Sequence, residues 1–155
     1  MEHPENMEKI EAAQNELCRF LVSMMPVPWE RIYFYDESEI NHNMYWFAVA
    51  EKETGVICRR ETFWKRYDSL PYKEMDTIRK LGDLMGNLFN AYLERFGADH
   101  IWCVYYLTID NDLSFHVDLG YEMPEGNRLD RRNSVYERFF GGWEKDVEGK
   151  YPATE

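Results

Sequence analysis

Cationic residues are scarce in this chain: 18 Lys and Arg stand against 29 Asp and Glu, a formal charge of −11. That balance argues against binding nucleic acid through its backbone, because phosphate contacts need clustered bases and gain affinity by releasing counterions. Cysteine is limited to Cys18, Cys58 and Cys103, with no C-x-x-C spacing. Neither a disulfide framework nor a zinc knuckle is supported, and a reducing compartment fits. No apolar run approaches the roughly 18 to 20 residues that span a bilayer. The acidic start, MEHPENMEKIEAAQ, lacks the basic and then apolar pattern of a signal peptide. A cytoplasmic protein that engages no membrane is therefore expected. G-x-S-x-G, G-x-G-x-x-G and P-loop motifs are also missing, so nothing announces a nucleophile elbow or a nucleotide cradle.

What is present is a foldable core. The 155 residues are 45% hydrophobic and 16% aromatic, which is enough for one domain and far from the disordered regime. Residues 1–30 hold six acids and two bases, and residues 101–155 hold eleven and six, whereas the middle is nearly balanced at twelve and ten. The acidic excess thus falls toward both ends of the chain. Such a surface suits a basic protein partner better than a nucleic acid.

Ile10, Ala13, Leu17, Phe20, Leu21 and Met24 recur at helical spacing and predict an amphipathic helix over 5–25, stopped by Pro26 and Pro28. WERIYFYD (29–36) and NMYWFAVA (43–50) predict a hairpin, the second run bulky on both faces as in a deeper strand. VICRRETFW (56–64) predicts a third strand. Met75 through Phe96 carry apolar residues at helical spacing, with Gly97 where a left-handed C-cap is wanted. Gly82 and Gly86 inside that helix suggest a close approach to the sheet. HIWCVYYLTID (100–110) and LSFHVDLGYE (113–122) predict a second hairpin turning at Asn111 and Asp112. SVYERFFGGW predicts a short final helix with Ser134 and Glu137 spaced as a capping box. The expected fold is α+β: a single domain over 1–142 in the order α-βββ-α-ββ-α, an antiparallel sheet of about five strands with helices packed on one face, and a tail over 143–155.

His116 and Asp118 project from one side of a strand and offer two metal ligands or an acid–base pair. A third ligand at recognisable spacing is missing, and the polar face of a half-buried strand explains the same alternation. Cys58 and Cys103 fall in strands and read as buried apolar residues. CRRETFWKR (58–66) interleaves bases with Phe63 and Trp64, as a single-strand binder does, but an edge strand protected by charge explains it better. Gly120, between Leu119 and Tyr121, suggests a bulge or a partner's close approach.

The ordered set VPWERIYFYDES, YDSLPY, WCVYYLTIDNDLSFHVDLGYE and VYERFFGG resembles the YezG-like immunity protein family, small cytoplasmic antitoxins of bacterial LXG-type polymorphic toxins. The likeness runs from the first helix to about residue 142. Two departures stand out: the last hairpin of the family commonly turns through glycine and ends acidic-Tyr-acidic, and its closing segment commonly has Trp and Tyr before Leu-Gly. Here the turn is Asn111-Asp112, Gly120 precedes Tyr121-Glu122, and Tyr136, Phe139, Phe140 and Gly141 approximate the closing segment.

The resemblance implies a non-enzymatic inhibitor, without cofactor or metal, that binds the C-terminal toxic domain of a cognate toxin, often a nuclease. Nuclease domains are basic, so an acidic inhibitor is steered onto them. The acids of the last hairpin and following loop, Asp110, Asp112, Asp118, Glu122, Glu125 and Asp130, are the expected complementary field, with Tyr121 and Trp143 as anchors. Two rival readings stay open at this level: a small metal-binding hydrolase centred on His116 and Asp118, and a homodimeric adaptor without a toxin partner.

Overall fold

Ile10, Ala13, Leu17, Phe20 and Leu21 are all buried along one stripe of helix α1 (Pro4–Ser23), and the buried Met24 follows just past its end, as their spacing requires. The computed structural model describes residues 4–39 and 42–140. After the two prolines the chain enters β1 (Trp29–Glu39), which pairs antiparallel with β2 (His42–Glu51) in a register that sets Phe34 opposite Phe47 and Tyr35 opposite Trp46. The short β3 (Ile57–Arg59) pairs with Ala48–Ala50 of β2. Helices α2 (Arg60–Arg66) and α3 (Glu74–Phe96) follow, and Gly97 ends α3 at φ 84° with its N–H donating to the Leu93 carbonyl. Strands β4 (Val104–Asp110) and β5 (Phe115–Gly120) form the second hairpin, and helix α4 (Arg128–Phe140) closes the described chain. The sheet order is β3-β2-β1-β4-β5, antiparallel throughout.

The α+β class, the single domain and the five-stranded antiparallel sheet are as expected. Four details are corrected. First, the helices do not share one face: α1 and α3 pack on Ile32, Phe34, Phe47, Val49, Tyr105 and Leu107, whereas Val135 and Tyr136 of α4 join Tyr33, Tyr35, Trp46 and Ala48 on the other. The bulky residues on both faces of β2 already demanded cover on both sides. Glu37, fully buried on the α4 face, receives Arg131 Nε at 3.0 Å and Nη2 at 3.1 Å and pins the helix there. Breaking a buried ion pair of this kind costs about 3–5 kcal/mol, because the surviving charge stays desolvated.

Second, the third strand is three residues long and gives way to α2. Phe63 and Tyr67, four apart with rings 5.1 Å from one another, face the core together, a helical rather than alternating pattern. Third, α4 begins at Arg128 rather than Ser134. Asn127 caps it by accepting the Asp130 N–H at 2.8 Å, which places Ser134 mid-helix. Fourth, Gly82 and Gly86 do not permit a close approach, since a Cβ at either would meet nothing within 4 Å.

Candidate partner-binding surface

The acids expected to form the surface sit on the β4–β5 hairpin and the loop into α4. Asp110 N–H donates to the Ser114 carbonyl at 2.9 Å and Leu113 N–H to the Asp110 carbonyl at 2.8 Å, so the chain reverses over Asn111, Asp112 and Leu113. The left-handed residue is Leu113, at φ 72°, not Asn111 or Asp112. This is the three-residue loop whose last position favours glycine, because a Cβ crowds the backbone there. Asp112 stabilises the turn from within: its Oδ1 accepts the Ser114 N–H at 2.9 Å and hydroxyl at 2.6 Å. Those bonds hold the fully exposed Asp112 carboxyl below its ordinary pKa, so it is ionised at neutral pH.

Two of the six acids are already engaged. Asp110 Oδ1 accepts Arg31 Nε at 2.6 Å. Asp118 Oδ1 lies 3.2 Å from His116 Nε2, and its Oδ2 accepts Arg138 Nη2 at 3.2 Å. The Arg138 guanidinium in turn lies 3.8 Å from the centroid of the Tyr106 ring, a cation–π contact. His116 and Asp118 are therefore part of a strand-to-helix contact on the α4 face, and among the described residues no group of three or more His, Cys, Asp or Glu could hold a metal ion.

The remaining acids lie at the two ends of β5. Asp112 is at the turn, while Glu122, Glu125 and Asp130 are exposed beyond Gly120. Neither Glu122 nor Glu125 makes an ion pair among the described residues. Asp130 occupies the first turn of α4, where the helix dipole favours an anion. Six residues of strand separate the groups, about 20 Å at roughly 3.3 Å per residue. The structure thus spreads the candidates along the β4–β5 hairpin and into the first turn of α4 and does not gather them in one cluster. Tyr121, 62% exposed, stands among the second group. Trp143 lies outside the described residues.

Gly120 has a local explanation. It pairs with Val104, and a Cβ built on it would sit 3.2 Å from Val104 Cβ, so the strand pairing itself restricts side-chain size. The basic run 58–66 is likewise spent inside the fold. Arg59 is buried with its guanidinium 5.3 Å from the centroid of the Tyr136 ring, Arg60 Nη1 donates to the Tyr45 carbonyl at 2.8 Å, and Arg66 pairs with Glu51 at 2.7 Å. Little of that charge is left for a nucleic acid.

Two residues missing from the expected surface are Leu113, 63% exposed, and Phe115, 44% exposed. Behind them a cavity of about 400 Å³ runs between α1 and the hairpin, lined by Asn15, Cys18, Arg19, Val22, Ile109, Leu113 and Phe115. The sequence signal was an aliphatic residue inside an otherwise polar turn, N-D-L-S.

Among the described residues no helix is long and apolar enough to cross a membrane. No curated protein matches the chain. The family model described as immunity protein YezG-like matches residues 10–144, which takes in every strand, the hairpin and α4. The chain belongs to the YezG-like immunity protein family.

Proposed function

We propose that this protein is the antitoxin of a bacterial LXG-type polymorphic toxin and neutralises the toxin's C-terminal domain by occluding it, without chemistry of its own, in the cytoplasm. The observation that carries the reading is the family match over residues 10–144. The target proposed is basic, as nuclease domains are, because the inhibitor carries −11 overall and leaves Asp112, Glu122 and Glu125 exposed beside the open edge of β5. An acidic face accelerates encounter with a cationic one and covers groups that would otherwise hold phosphate.

Co-expression with the toxic domain is the direct test. Rescue of growth and a stoichiometric complex are expected, and loss of both would remove the proposal. The electrostatic part is tested by Asp112→Lys, Glu122→Lys and Glu125→Lys together. Association should slow by about tenfold or more at low salt and lose much of its salt dependence. Unchanged association would show that these acids do not steer the toxin.

A further inference from the structure

Leu113 is an expensive residue in folding terms. The turn hydrogen bonds between Asp110 and Leu113 and between Asp110 and Ser114 force it to φ 72°, a conformation that glycine or asparagine adopts more readily. Its side chain recovers little from burial, being 63% exposed. Strain held at a surface position that the core does not need is a feature of binding sites. Phe115, two residues on, shares the exposure, and among the described residues no strand pairs with the outer edge of β5. Behind both residues lies the cavity of about 400 Å³, whose inner wall is Val22, Ile109 and Cys18. Burial raises the Cys18 thiol to about 11, so that wall carries no charge at neutral pH.

We infer that Leu113, Phe115 and the groove behind them form the apolar anchor of the partner interface, and that the groove receives an apolar side chain from a basic protein surface. The inference rests on the immunity reading and deepens it by naming where the contact closes. Charge selects the occupant. Asp112 is next to Leu113, and Glu122 and Glu125, which make no ion pair among the described residues, lie at the far end of the same edge, so a second copy of this chain would bring like charges together, whereas a basic partner meets opposite ones. Arg19 is the only charged residue among the described residues that line the groove, and its Nε donates to the Asn15 carbonyl at 3.4 Å. An apolar centre rimmed by charge is the arrangement in which a few central side chains carry most of the affinity.

Leu113→Gly separates binding from folding, because it relieves the left-handed backbone and deletes the exposed side chain in one change. The variant should melt at a higher temperature than wild type and yet dissociate from the toxic domain of the cognate LXG-type toxin at least tenfold faster. Leu113→Asn, which also tolerates the left-handed conformation, and Phe115→Ser should weaken the complex similarly. Binding is measured by surface plasmon resonance with wild type in parallel, and self-association by sedimentation velocity. If wild type binds tightly and the three variants bind equally well, the anchor is overturned while the immunity reading stands. If wild type does not bind, both fall. A wild-type dimer that Leu113→Gly dissociates would make the occupant a second copy and overturn the basic-partner assignment.

Discussion

At one edge of the sheet β3 contributes only Ile57, Cys58 and Arg59, all buried, and the chain at once folds α2 over them; at the other, none of the six residues of β5 is buried. Charged residues are plentiful near both edges but are used differently. Beside β3 they turn inward: Glu51 accepts Arg66 Nε at 2.7 Å and Nη2 at 2.9 Å, the Tyr67 hydroxyl at 2.6 Å and the Thr54 hydroxyl at 2.6 Å. Along β5 they face water, and only Asp110 and Asp118 have found arginines, both pairs being about half exposed. An unpaired strand edge invites pairing with another chain unless it is short, charged or covered. Among the described residues one edge is thus covered and the other is left short and acidic, and the proposed association falls on that second edge.

The largest expected effect is on the closed edge. Glu51→Ala removes the acceptor for four donors and leaves Tyr67 and Arg66 without it, in a residue only 7% exposed. A loss of about 3 kcal/mol is expected, since breaking such a network strands desolvated groups. Urea denaturation measures it, and an unchanged midpoint would show that α2 closes the edge by apolar packing alone.

The same carboxylate makes the closed edge sensitive to acid. Hydrogen bonds from Arg66, aided by Thr54 and Tyr67, pull its pKa from 4.5 down to about 2. A carboxyl depressed in the folded state binds its proton more tightly when unfolded, so its stabilisation is complete above about pH 5 and drains as pH falls toward 2. The stability difference between wild type and Glu51→Gln should therefore shrink across that window. A difference constant from pH 6 to pH 3 would mean that ionisation of Glu51 is not what holds Arg66.

Most of the frame was legible because it is written in periodicity: the stripe Ile10 to Met24 and the spacing from Met75 to Gly97 define α1 and α3 within a residue or two. The placement of α4 was not legible as a local pattern. It depends on a contact between Glu37 and Arg131 across 94 positions of sequence, and no window of residues contains both. The short β3 escaped because aromatic content suggested a strand, while the Phe63 and Tyr67 pair that makes α2 spans barely one turn. At the candidate surface, residue type identified the acids but not which of them arginines had already claimed. Leu113 was hidden for a related reason: a positive φ belongs to the turn geometry, and leucine is among the residues least expected to show one.

On the open edge the next effect in size is steric. Gly120→Ala sets a methyl group 3.2 Å from Val104 Cβ. A cost of about 1 kcal/mol is expected, near the lower end for overpacking because an edge strand can shift outward. In a double-mutant cycle Val104→Gly, which removes the Cβ that the methyl group meets, should recover part of it. If it recovers nothing, or if the single variant is neutral, the pairing of Gly120 with Val104 does not restrict this edge, and the glycine would again need an explanation outside the fold.

The smallest effect should come from Asp118→Asn. The change disrupts contacts to His116 and Arg138, but both partners are at least half exposed, and pairs of that kind contribute about 0–1 kcal/mol. Thermal and urea midpoints should move within about 0.5 kcal/mol of wild type. Its influence on toxin association should also be slight, less than about twofold, because Arg138 already offsets the Asp118 charge, whereas Asp112 and Glu122 have no such counterion among the described residues. A large loss of binding from this one substitution would reverse the ranking of the acids: the His116, Asp118 and Arg138 contact, and not the ends of β5, would then be the part of the open edge that the toxin reads.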